Sequence, residues 1–173
     1  MIFTGFKRKS NQIFFNKRLT KFLEISENII SKEVKNVLII LDDISDKEFV
    51  KNDLLSLFNI SEEKITILVF QHKVAKEPTS EEIISPADFG WYGKIKSDKL
   101  KAVLTNKYDL LINYSKVDNI YSNLLLLQCK AGFKAGFKHL DNRFYDLTID
   151  CNSNELELFN KELKKYLAIL NKI

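Results

Sequence analysis

Val37-Leu38-Ile39-Ile40-Leu41-Asp42-Asp43 is the stretch that decides the fold. Five aliphatic residues stand in a row, three of them β-branched, and the run stops on two carboxylates. β-Branched side chains favour extended backbone, and an unbroken apolar run suits a central strand covered on both faces. Residues 46–58 follow as a helix, with Phe49, Val50, Leu54, Leu57 and Phe58 as its apolar face. Ser45 or Asp46 is placed to cap its first turn. Ile65-Thr66-Ile67-Leu68-Val69-Phe70 is a second strand. Strand, helix and strand within about thirty-five residues form a βαβ unit whose crossover is expected to be right-handed.

Toward the C-terminus the alternation continues. Residues 71–88 hold both prolines, Pro78 and Pro86, and are expected as an exposed connection. Asp88-Phe89-Gly90-Trp91-Tyr92-Gly93-Lys94 then sets three aromatics between and beside two glycines. A helix from Ser97 to about Asn106 precedes a buried strand, residues 108–114. A further helix, residues 119–130, carries Leu124 to Leu127 and is expected to stop at Gly132. Strands are expected at 133–137 and 144–149, and a closing helix at 156–173 with Leu156, Phe159, Leu163, Tyr166, Leu167 and Leu170 on one face. Toward the N-terminus, residues 13–30 read as a helix, with Phe15, Leu19, Phe22 and Ile29 near one face, followed by a polar joint at 31–35. This pattern predicts an α/β protein, a Rossmann-like three-layer sandwich with a mostly parallel sheet. The expected division is a basic helical N-terminal extension, 1–35, and an α/β domain, 36–173. The echo of Ala131-Gly132-Phe133-Lys134 in Ala135-Gly136-Phe137-Lys138 is too short to be an architectural repeat.

Composition agrees with a globular domain. The chain has 173 residues, 45% hydrophobic and 29% charged, with only 5 Gly and 2 Pro. These values exclude collagen-like, low-complexity and wholly disordered chains. No apolar run approaches the length of a membrane span. Cys129 and Cys151 are expected as ordinary thiols in a reducing compartment. The apolar stretch Ile13-Phe14-Phe15 is broken at once by Asn16, Lys17 and Arg18, so it does not read as a secretory signal, and the expected location is cytoplasmic. Net charge is +4, with 27 basic and 23 acidic residues, too mild to imply nucleic acid by itself. Its distribution is uneven: Lys7, Arg8, Lys9, Lys17, Arg18 and Lys21 lie in the first 23 residues with no acidic residue among them.

Three features could carry function. Asp42, Asp43 and Asp46 follow the central strand, where open parallel sheets bind ligands, and could serve as acid and base or hold a cation. The simpler reading is helix capping. The turn after Leu41 contains no glycine, so neither a dinucleotide fingerprint nor a P-loop is present and no nucleotide cofactor is expected. His72 and His139 are far apart and no metal site is expected. The second feature is the aromatic loop, in which Phe89, Trp91 and Tyr92 could form a stacking or docking surface. The third is the basic N-terminal segment, which could pack on its own domain, touch RNA phosphates or lie on an anionic membrane surface.

Two resemblances follow from these residues. The basic N-terminus, the Asp88-to-Ile95 stretch, Tyr108-Asp109-Leu110-Leu111-Ile112, the 131–137 echo and the closing Tyr166 to Ile173 together resemble an uncharacterised bacterial family of small α/β proteins. That resemblance implies no activity. Residues 108–137 are similar to part of the N-terminal domain of heptosyltransferase-like glycosyltransferases, with a Tyr-Asp-Leu strand, a Leu-rich helix and a Lys134-Ala135-Gly136-Phe137 strand. The family's Gly-Asp has only Ser45-Asp46 as its nearest counterpart here, and 173 residues leave no room for the second domain that would hold the sugar nucleotide. This similarity therefore implies a fold and not the activity.

The sequence thus leads us to expect a non-catalytic cytoplasmic binding or adaptor protein using Lys7, Arg8, Lys9, Lys17, Arg18, Lys21, Phe89, Trp91 and Tyr92 to engage a protein partner. The alternatives are a small-ligand binder or enzyme of sugar or phosphate chemistry using Asp42, Asp43 and Asp46, and an RNA- or ribosome-associated factor. If all three aspartates cap helices or pair with lysines, the carboxylate alternative loses its basis.

Overall fold

A computed structural model describes residues 2–24, 33–72 and 82–173. The expected strand runs become β1 (Val37–Leu41), β2 (Ile65–Phe70), β4 (Lys107–Asn113), β5 (Lys130–Phe137) and β6 (Leu147–Ile149). A two-residue strand, β3 (Ile83–Ile84), lies inside the stretch expected to be an exposed connection. Ile84 is fully buried there, and its carbonyl accepts the Gln71 N–H. The sheet order is β3-β2-β1-β4-β5-β6 and every strand pair is parallel. This is the order of a doubly wound Rossmann-like sheet, with its reversal between β1 and β4.

Because successive side chains on a strand point to opposite faces, the aliphatic run fills two cores at once. Val37, Ile39 and Leu41 pack under α2 (Lys47–Phe58) and α5 (Leu156–Ile169). Leu38 and Ile40 share the other core with side chains of α1 (Ile2–Glu24), α3 (Asp98–Thr105) and α4 (Ile120–Gln128). On the first face, the Tyr114 hydroxyl donates to Asn160 Oδ1 (2.5 Å) and the Asn160 amide donates to Asp53 Oδ2 (2.6 Å). That chain ties the end of β4 to α5 and α2.

Several boundaries differ from the sequence expectation for physical reasons. The first helix begins at Ile2 rather than residue 13; its expected end, with Ile29, lies outside the described residues. Gly132 does not stop α4. That helix ends at Gln128, Cys129 is already extended, and Gly132 lies within β5. Residues 142–144 form a 3₁₀ turn, with the Asp141 carboxylate accepting the Arg143 N–H, so β6 starts only at Leu147. The closing helix stops at Ile169 because Asn171 takes a left-handed φ of 52°. The Asn171 and Lys172 N–H groups then bond to the Ala168 and Leu167 carbonyls, a Schellman ending.

Candidate functional site

The carboxyl edge of the sheet is closed by ion pairs. Asp43 accepts the Ser45 N–H and hydroxyl, capping a 3₁₀ turn that leads into α2. Asp42 Oδ2 accepts the backbone N–H of Lys116, just beyond β4, at 2.6 Å. The Lys116 amine reaches Asp46 at 3.0 Å and Asp43 at 3.3 Å. All three aspartates are therefore engaged across the β1/β4 reversal. Burial raises the Asp42 carboxyl above its ordinary value, against the pull of the Lys116 and Val117 N–H groups. The Ser45 hydrogen bonds, and then Lys116, lower Asp43. Asp46 first, and Asp43 after it, raise the Lys116 amine. No cluster of His, Cys, Asp and Glu fit to hold a metal ion occurs among the described residues.

The basic segment and the aromatic loop, separate in sequence, meet in space. The loop is a tight hairpin in which Phe89 and Ile95 form an antiparallel bridge and the Lys94 N–H bonds to the Trp91 carbonyl. Tyr92 and Gly93 at its tip have φ of 52° and 71°, the geometry of a type I′ turn. The hairpin lies along α1. Lys7 Nζ donates to the carbonyls of Pro86 (2.8 Å) and Phe89 (3.0 Å). The Gly93 N–H donates to Asn11 Oδ1 at 2.8 Å and the Tyr92 N–H to Ser10 Oγ at 3.3 Å. The Gln128 side-chain amide, from α4, donates to the Gly93 carbonyl at 3.3 Å.

This docking divides the expected site residues. Lys7 and Phe89 are spent inside the molecule: Lys7 holds the hairpin, and Phe89 is fully buried against Tyr121. Burial first, and the charge of Lys96 second, lower the Lys7 amine, while Asp88 opposes them. Arg8, Lys9, Lys17, Arg18 and Lys21 remain exposed, and none makes an ion pair among the described residues. Trp91 and Tyr92 are also exposed.

Between α1 and α4 runs a groove of about 420 Å³, lined by Phe14, Arg18, Lys21, Phe22, Leu127 and Gln128. The Arg18 guanidinium sits 5.6 Å from the centre of the Phe14 ring, a cation–π approach. Beneath Phe22 lies Lys134, a nearly buried lysine on β5, with its amine 4.6 Å from the Phe22 ring centre and 2.9 Å from the Leu126 carbonyl. Burial lowers the Lys134 amine from its ordinary value. The arrangement offers cations and flat apolar walls, with no nucleophile–base pair beside them among the described residues: Cys129 is buried and its thiol is raised to about 11.

Sequence reasoning found Arg18 and Lys21 but not the groove they border. Phe14, Leu127 and Gln128 join it only because α1 crosses α4, a contact between segments about a hundred residues apart. Lys134 had a weak signal. It occupies the position between Phe133 and Ala135 that points away from theirs, with Gly132 and Gly136 to either side.

No curated protein and no solved structure matches the chain. One family model, described as "Family of unknown function (DUF6913)", matches residues 7–170, which include α1 from Lys7 onward, the hairpin and all six groove residues. The chain therefore belongs to the family of unknown function DUF6913.

Proposed function

We propose that this protein is a non-catalytic binding protein that engages an anionic partner through the face built from α1 and the 89–95 hairpin. One observation carries the reading: cations without carboxylate partners among the described residues and exposed aromatics, read separately in the sequence, are brought together along α1, beside an open groove. The engagement of Asp42, Asp43 and Asp46 by Lys116 and Ser45 supports this reading over one that uses these carboxylates for chemistry. The likeness of residues 108–137 to heptosyltransferase-like glycosyltransferases is taken as one of packing, since these residues form β4, α4 and β5. The free thiols Cys129 and Cys151 support a reducing, cytoplasmic setting, and no helix among the described residues is long and apolar enough to cross a membrane.

The test is retention of partners from native lysate by the tagged full chain and by a Lys9→Glu, Lys17→Glu, Arg18→Glu, Lys21→Glu variant, at low and high salt, with and without nuclease. Lys7 is left intact because it holds the hairpin. The expected result is salt-sensitive retention by the natural chain, lost in a variant that keeps its helical circular dichroism and still melts cooperatively. Identical retention by both proteins would overturn the proposal.

A further inference from the structure

The exposed side of α1 is not simply basic. Phe6 and Ile13 are 59% and 44% exposed, and they lie seven residues apart, on one stripe of the helix. Lys9 and Lys17 stand four residues before and four after Ile13, so cations and apolar side chains alternate along the ridge. The hairpin adds to the same side. Its Tyr92 N–H rests on Ser10, one helical turn from both Phe6 and Phe14, and this places Trp91 and Tyr92 beside the stripe. Their side chains are 46% and 62% exposed. Tyr92 keeps that outward position at a left-handed φ of 52°.

We propose that this face docks on an anionic membrane surface, with Phe6, Ile13, Trp91 and Tyr92 entering the headgroup region and Lys9, Lys17 and Lys21 contacting lipid phosphates. The proposal rests on the binding face described above and names its partner. Charge complementarity supplies the long-range attraction, because these cations have no carboxylate partner among the described residues. The rings of Phe6, Trp91 and Tyr92 suit a base or a headgroup region equally, and Ile13 decides for lipid. Ile13 has no flat ring on which a base can stack, whereas an aliphatic side chain partitions into an acyl boundary. Trp and Tyr are the side chains most enriched at headgroup depth. Lysines between apolar groups lay their stems along the interface and extend their amines to the phosphates. The groove beside the ridge combines Phe14, Phe22 and Leu127 walls with Arg18 and Lys21, which suits a phosphate bearing an apolar tail.

The chain has one tryptophan, Trp91, so its emission reports directly on this face. The full-length protein is titrated with vesicles of phosphatidylcholine alone and of phosphatidylcholine with about one-third phosphatidylglycerol, and vesicle flotation is measured in parallel. The expected result is a blue shift of Trp91 emission and co-flotation with the anionic vesicles only, with quenching by lipids brominated on their acyl chains. Lys9→Glu with Lys17→Glu is expected to weaken binding roughly tenfold or more. Phe6→Ser with Ile13→Ser is expected to abolish quenching by the brominated chains. Both pairs are exposed, and an unchanged Tm shows that the variants fold. Absence of binding to anionic vesicles, or binding by both variants undiminished from that of the natural chain, would overturn the proposal. So would an emission change with single-stranded oligouridylate in place of vesicles. If vesicles fail while the quadruple charge variant still loses its lysate partners, the membrane assignment falls and the binding face stands.

Discussion

At Gly93 the backbone turns at φ 71°, and a Cβ built there would lie only 2.2 Å from the edge of the Phe14 ring. Both facts demand glycine, because an L side chain disfavours that backbone and α1 leaves no room for a methyl group. Gly93→Ala is expected to destabilise the protein by roughly 2–4 kcal/mol, from a left-handed penalty and overpacking together, as read by urea unfolding. At Asp42 the effect has the opposite sign. Burial raises its folded carboxyl above the unfolded value, so the folded chain holds that proton more tightly. Its contribution favours folding at acid pH and is lost as pH rises from about 4 through the raised folded value. Asn keeps an acceptor for the Lys116 N–H and carries no charge. Asp42→Asn is therefore expected to equal or exceed the natural chain in Tm at pH 7, with its advantage shrinking as pH falls to 3. A large loss of Tm at pH 7 would show that the charge of Asp42 is needed. Residue type alone could not make these distinctions. Lys7 and Lys17 are identical in the sequence, yet one is bound to two carbonyls and the other is exposed without an ion pair among the described residues, because only α1 packing decides which side of the helix each occupies.

Elements were most legible where one physical signal dominated. The run from Val37 to Leu41 reads as a central strand because it is short, rich in β-branched residues and apolar on both sides of the backbone. The short strand β3 was not legible: two residues cannot establish a period, and only their pairing with Val69 and Phe70 makes them a strand. A glycine after a Leu-rich run reads as a helix stop, whereas Gly132 serves a strand and Gly136 makes room for the Tyr145 ring. The same strand carries the most consequential hidden residue. Lys134 places a cationic amine against the last turn of α4, where the Leu126 carbonyl has no helical donor, and beneath the Phe22 ring of α1. Burial lowers that amine in the folded state, so between its folded value and the unfolded value near about 10.4 the unfolded chain binds more protons. Stability contributed at this position therefore rises with pH. Lys134→Met keeps most of the volume and loses one hydrogen bond, worth roughly 0.5–1.5 kcal/mol. The Tm of the natural chain minus that of the Met variant is expected to be larger at pH 10 than at pH 7. A constant difference would show that the amine keeps its ordinary protonation behaviour when folded.

At the scale of the whole molecule, the alternation of strands and helices was enough to indicate a parallel sheet, and the order β3-β2-β1-β4-β5-β6 places its reversal at the carboxylates. The sequence could not show that Lys116, 74 residues away from Asp42, closes that crevice. Nor did it show how closely α1 joins the sheet. Phe15 and Leu19 are only 4% and 5% exposed and share a core with Leu38, Ile40 and Leu124. Phe15 and Phe22 both pack their rings against Phe144, beyond β5. The helix that presents the exposed cations is thus also a wall of the second core, and binding and folding are coupled through it. Truncating a buried Phe or Leu to Ala costs roughly 3–5 and 2–5 kcal/mol respectively. Domains of this size have about 5–15 kcal/mol in total. Removing residues 1–24 deletes both side chains and uncovers the apolar surface of α4, so a chain of residues 25–173 is expected to lose cooperative unfolding near room temperature and to bind a hydrophobic dye. Charge reversal at Lys9, Lys17, Arg18 and Lys21 leaves those buried contacts in place and is expected to shift Tm by only about 2–4 °C, the scale of a surface effect below 1 kcal/mol. Thermal scans of the two proteins side by side check both statements. If the truncated chain melts cooperatively at the temperature of the full chain, α1 is an appendage and its burial stabilises nothing. If it collapses while the charge variant melts normally, loss of binding in the charge variant reports the surface alone.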